Sequence, residues 1–327
     1  MGNCFKMNKS ERLVASKEQI RVYNNNRYTQ WHYASVMSIR KILLNLDSFY
    51  SDLVPELASG KDQCDIVHCQ IRNAWFYEAV SHAEQAIEDL FATIMNMDDP
   101  AYFVKDELFY FAGKVKDFIW NFDADSIEEI CDQFGYPFFP LNEPWENGKV
   151  FDTYKEAILL TQRYIKELKV FHKYYYDDYC QYKHGLSVSL TPIGNPLMKD
   201  DEEHRKAIME NPSEAALYTF HNGTAEDYMK RTGESPNMMI QLKPGMQSHV
   251  SALHDEGNLL FATIHRANID EVLEVTKHAC ILLNVVWENV IKCIDYNNDD
   301  YLETAFPLDM IEQHVVIGFP KPDIDNQ

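Results

Sequence analysis

The residues with the most obvious chemical potential crowd the end of one segment. Between Tyr174 and His184 the chain reads Tyr-Tyr-Tyr-Asp-Asp-Tyr-Cys-Gln-Tyr-Lys-His. On a helix, Tyr175, Tyr179 and Tyr182 fall at i, i+4 and i+7 and share one face. Beside Lys183 and His184, three such rings could stack a base while the two basic groups hold a phosphate. A tyrosine-rich bundle face with its hydroxyls at the solvent rim is the other reading of the same pattern. Cys64 and His68 are spaced i, i+4, and so are Cys180 and His184. Two such helices packed together would offer a Cys₂His₂ zinc set, whereas cysteines in helices are more often small core residues. Cys180 with His184 also has the residue types of a thiolate–imidazole pair, but one helical turn leaves little room for a substrate and an oxyanion hole. His254-Asp255 and His265-Arg266 have functional residue types without a spacing that defines a triad. Asp295 to Asp299 imitates the start of a calcium loop, yet Asp300 stands at its turn glycine and Phe306 at its closing glutamate. There is no GxGxxG and no GxxxxGK[ST] phosphate loop. No metal or cofactor is expected.

These groups need elements to position them, and the hydrophobic periodicity supplies mostly helices. Residues 1–28 are polar and predict a loose start with at most a short helix. A helical pattern begins near Gln30. A second, stronger one runs from about Asp65 to Met97, with Phe76, Ala79, Val80, Ala83, Ile87, Leu90, Phe91 and Ile94 in one stripe. Arg72, Glu78, Glu84, Glu88 and Asp89 fall largely outside that stripe. Asp99-Pro100 predicts the start of a third helix reaching Asn121. Ser126 with Glu129 forms a capping box for a short fourth helix that Gly135 ends. A long helix follows from about Phe151 to Lys183, closed by Gly185. The pattern then turns β-prone at Leu186–Ile193, Ala216–His221, Asn237–Leu242 and Leu259–His265. A last long helix spans about Ile269 to Tyr296, with Asn268 as its N-cap. The expectation is a mainly α fold: a helical domain over 29–296, a small β-rich insertion at about 186–266 before the last long helix, and an acidic tail over 297–327 in which Val315–Ile317 could dock as a strand.

Two stretches carry a family resemblance. One is the helix Arg72-Asn73-Ala74-Trp75-Phe76-Tyr77-Glu78-Ala79-Val80-Ser81-His82 and onward to Phe91. The other is Tyr179-Cys180-Gln181-Tyr182-Lys183-His184-Gly185 at the close of a later long helix. Together they resemble the HEPN superfamily, helical domains common in prokaryotic toxin and antiviral systems, over roughly residues 30–295. The resemblance implies a HEPN-like helical bundle, a homodimer, and in its cleaving members a metal-independent RNase built on an Arg and a His. His184 stands at the family's His position. The Arg is missing: the places five to seven residues before His184 hold Asp177, Asp178 and Tyr179. A carboxylate cannot stabilise a phosphorane as guanidinium does. Lys183 is the nearest cation, but it sits about 100° round the helix from His184. The expected role is therefore a HEPN-like binding or assembly protein. The alternatives are an endoribonuclease using His184 with Lys183, and a structural or regulatory helical protein outside the superfamily. Arg27 and His32 have the motif's spacing but sit at the start of the first helix, the wrong place for it.

Composition narrows the partners. The chain has 327 residues and a net charge of −21, so it repels phosphate backbones except where its basic residues cluster. RNA or a nucleotide is expected only in a local pocket, beside a possible protein partner. The seven cysteines include no CxxC and read as reduced thiols. The first thirty residues are polar and no apolar run reaches a membrane span, which predicts a cytoplasmic protein without a membrane partner.

Overall fold

The computed structural model describes residues 9–51, 61–96, 111–139, 141, 148–183, 188–189, 211–232, 259–295, 301–311 and 313–320. The chain is mainly helical, with α1 Lys9–Asn26, α2 Trp31–Leu43, α3 Leu46–Tyr50, α4 Lys61–Met95, α5 Ala112–Asn121, α6 Ile127–Phe134, α7 Gly148–Lys183, α8 Ala225–Thr232 and α9 Ile269–Asp295. The strands come late in the chain: β1 Val188–Ser189, β2 Glu214–Gly223, β3 Leu259–Asn268, β4 Tyr301–Pro307 and β5 His314–Pro320. Asn237–Leu242, predicted as a strand, and Pro100 lie outside the described residues. Among the described residues no helix is long and apolar enough to cross a membrane.

Two compact units share the three longest helices. The first comprises Met1–His32, Gln85–Lys169 and Lys277–Gln327. Its local signals form as the sequence predicts. Ser126 accepts a hydrogen bond from the Glu129 amide at 3.1 Å, and Gly135 closes α6 at φ 66°, a left-handed conformation that glycine adopts without steric cost. Residues 1–28 differ from expectation: α1 is an 18-residue helix. Its polar sequence hides two contacts that dock it, the Tyr23 ring 5.4 Å from Trp287 and the Arg27 guanidinium 4.3 Å over the same indole. Arg27 and His32 thus serve different partners, His32 lying 3.4 Å from Asp89.

The segment read as an acidic tail is an antiparallel hairpin, with Tyr301 opposite Pro320 and Pro307 opposite His314. The expected strand at Val315–Ile317 lies within β5. Phe306 and Phe319 are buried and meet the rings of Tyr154 and Phe139. Asn289 of α9 fastens β4 by two bonds to one residue: its Nδ2 donates to the Ala305 carbonyl at 3.0 Å, and the Ala305 amide donates to its Oδ1 at 2.7 Å. Asn289 is buried, so removing its amide leaves a donor and an acceptor dry. Asn289→Ala is expected to destabilise this unit by about 2–4 kcal/mol. Urea unfolding would read that loss as a lower midpoint at unchanged slope.

The second unit comprises Tyr33–Glu84 and Val170–Thr276. It contains α2, α3, most of α4, the last turns of α7, and a three-stranded antiparallel sheet in the order β1-β2-β3. The sheet register pairs Val188 with Thr219, Thr219 with Thr263, and Leu217 with His265. β3 runs directly into α9, where Asn268 Oδ1 accepts from the Asp270 amide at 2.9 Å and the Glu271 amide at 3.4 Å. That is the cap the sequence predicts.

Helix α4 corrects one expectation. Every member of its predicted stripe from Phe76 to Ile94 is buried, but so are Arg72, Glu84 and Glu88. An amphipathic helix with one buried stripe would turn those charges to solvent. α4 is instead enclosed on more than one side, and its buried charges have partners inside the protein.

Candidate functional site

The end of α7 positions a buried polar cluster in the second unit. Tyr175, Asp178, Tyr179 and Tyr182 follow at i, i+3, i+4 and i+7 and share a face. Asp178 is fully buried and accepts two hydrogen bonds. One comes from the hydroxyl of Thr219 on β2; the other comes from Nδ1 of His265 on β3, 2.5 Å from Asp178 Oδ2. Thr219 is as buried as Asp178, and His265 is only 2% exposed. The carboxylate therefore sets the imidazole tautomer, with the proton on Nδ1. The His265 ring also packs 4.2 Å from the ring of Tyr174.

Tyr77 of α4 extends the cluster. Its hydroxyl donates to the Tyr218 carbonyl at 2.7 Å and lies 3.3 Å from Thr219 Oγ1. Each hydroxyl has one proton, and Thr219 gives its proton to Asp178, so the 3.3 Å contact is the weak member. Burial, reinforced by the Asp178 charge, pushes the Tyr77 hydroxyl well above the usual tyrosine range. The Tyr182 ring stacks on Tyr77 at 5.0 Å with an 11° tilt, and its hydroxyl donates to Glu78 at 2.7 Å. Burial and Glu78 raise the Tyr182 hydroxyl too.

A second buried pair lies on the same helices. His172 Nδ1 is 2.7 Å from Glu84 Oε2, and both side chains are fully buried. Among the described residues Glu84 Oε1 and His172 Nε2 have no hydrogen-bond partner.

The predicted ligand-binding tyrosines are brought together, but two of them face inward. Tyr175 and Tyr179 are buried, Tyr175 donating to the Arg266 carbonyl at 2.6 Å. The half-buried Tyr182 already has a stacking partner. Lys183 is exposed, with Nζ 3.3 Å from the Tyr179 hydroxyl and 5.3 Å from that ring's centroid. His184, His254, Asp255 and the loop after Asp295 lie outside the described residues. Of the proposed zinc set, His68 lies 2.8 Å from Asp47 and Cys180 is half-buried on α7. Among the described residues no group of three or more His, Cys, Asp or Glu is placed to hold a metal ion.

Sequence reasoning named His265 as a functional residue type but not its partner Asp178, and it missed Thr219, Tyr77, Glu84 and His172 as members of the cluster and the second pair. Part of the signal was present: Asp178 sits between Tyr175 and Tyr182 on the tyrosine face, and Glu84 falls one turn from Val80 and Ile87. A charge at such a position is either an error in the stripe or a buried, partnered group. Chemically, the cluster ties α7, α4 and the β2–β3 pair together and holds two imidazoles beside carboxylates. It offers neither imidazole to solvent. Comparison with protein-family models, curated proteins and solved structures yields no match.

Proposed function

We propose that the protein is a HEPN-like binding or assembly component, acting as a homodimer in the cytoplasm and serving a toxin or antiviral system. The observation that carries this reading is the enclosure of the acid–base groups. Asp178 accepts from both Thr219 and His265, and none of the three exceeds 2% exposure. A general acid or base must reach the proton that it moves, directly or through one water. A dyad closed in this way supports a role in architecture, and the HEPN resemblance without its Arg points the same way. Sedimentation velocity of the full chain between about 1 and 50 µM tests the assembly reading. A dimer is expected to dominate at the upper end; monomer alone at tens of micromolar would count against it.

One observation favours a second reading, a metal-independent endoribonuclease centred on His184. The exposed Lys183 ammonium lies at the α7 terminus against Tyr179, one residue before that histidine. A cation there is suited to a phosphate oxygen. This reading expects RNA cleavage that persists in EDTA.

A further inference from the structure

The second unit has a groove away from the buried cluster, at the corner where α2 gives way to α3. Its volume is about 490 Å³, within the range of small-molecule sites. Leu44, Leu46 and Pro212 supply an apolar wall, while His68 and Arg72 line it from α4. Those two basic residues are one helical turn apart and share a face.

Arg72 is the unusual member. It is only 7% exposed, and its Nη2 donates to the carbonyl oxygens of Asn211 and Glu214, which hold the guanidinium in place. The Glu214 carboxylate is itself engaged, 2.5 Å from Arg266. Burial lowers the Arg72 pKa from its ordinary value, partly offset by Cys69 and Glu214. The groove thus places a buried cation and an imidazole in a chain whose net charge is −21. Asp47, 96% exposed and 2.8 Å from His68, stands at the same place. That carboxylate repels a polyphosphate more strongly than a single anion.

We propose that this groove binds a small organic mono-anion, a carboxylate with a short alkyl body. The carboxylate sits toward His68 and Arg72, and the alkyl part lies against Leu44, Leu46 and Pro212. The apolar wall disfavours a bare inorganic anion as the occupant, and the Arg72 cation, with Asp47 already engaged by His68, favours a carboxylate over an amine.

Calorimetric titration of the full chain with hexanoate tests the site, with hexylamine and inorganic phosphate as controls. Hexanoate is expected to bind saturably with Kd near about 1 mM or tighter, and to bind at least roughly tenfold better than either control. Leu44 is exposed enough to accept a larger side chain, so Leu44→Trp fills the groove without disturbing the core. It is expected to weaken hexanoate by roughly tenfold at an unchanged unfolding midpoint. His68→Gln, at a half-exposed position, is expected to weaken it by roughly threefold. Absence of saturation by the wild type, equal binding of hexanoate and hexylamine, or wild-type affinity in Leu44→Trp would each overturn the proposal.

Discussion

Asp178→Ala is expected to lower the stability of the protein by roughly 3–5 kcal/mol, the range for stripping one partner from a buried charged pair. The loss has two parts. The His265 Nδ1–H and the Thr219 hydroxyl each lose their acceptor while both side chains are at most 2% exposed. The second part is connectivity, because Asp178 is where α7 meets β2 and β3. Asp178→Asn is the gentler control. Its amide oxygen still accepts one bond, but its NH₂ must face a donor, so about half the loss is expected. Equilibrium urea unfolding should give lower midpoints in the order wild type, Asn, Ala. An Asp178→Ala protein with the wild-type midpoint would mean that the cluster does not hold the sheet to the helix.

The second large effect belongs to Glu84 and His172. Removing either alone leaves the other fully buried without its partner, and Glu84→Leu or His172→Phe singly is expected to cost about 3–5 kcal/mol. The double variant Glu84→Leu/His172→Phe is expected to be markedly more stable than the sum of the two, since apolar side chains of similar volume need no partner there. A coupling on the order of 2–3 kcal/mol from the four unfolding curves is the predicted result. Strict additivity would mean that the two side chains do not depend on each other.

Both effects lie where the sequence was hardest to read. Short-range signals were legible because their causes lie within one turn. The Ser126 cap, the Gly135 terminus, the Asn268 cap and the apolar stripe of α4 all appear at the predicted positions. The mainly α class followed from such signals, and three of the four expected strands appear, in β1, β2 and β3, the fourth lying outside the described residues. α1 was hidden because its few apolar residues, Leu13, Val14, Ile20 and Val22, keep no single helical face, and its anchoring partner Trp287 is distant in the chain. Arg72 and Glu84 looked solvent-facing because amphipathic logic assigns charge to water, whereas a helix enclosed on several sides pairs its charges internally. The Asp178–His265 and Glu84–His172 pairs join residues 87 and 88 positions apart. No spacing rule reaches that far, since sheet register and helix docking decide it. The hairpin at the end of the chain was half legible: Val315–Ile317 has strand character, but its pairing with β4 and the Asn289 clamp are long-range.

Cleavage separates the assembly reading from the enzyme reading most directly. Purified wild-type protein and His184→Ala should be incubated with a structured and a single-stranded RNA in EDTA. Their products should then be resolved on a denaturing gel. The assembly reading predicts intact RNA in both reactions, at protein concentrations where sedimentation finds the dimer. RNA cut by the wild type and left whole by His184→Ala would contradict it, and would make the α7 terminus, with Lys183 and Tyr179, an active site.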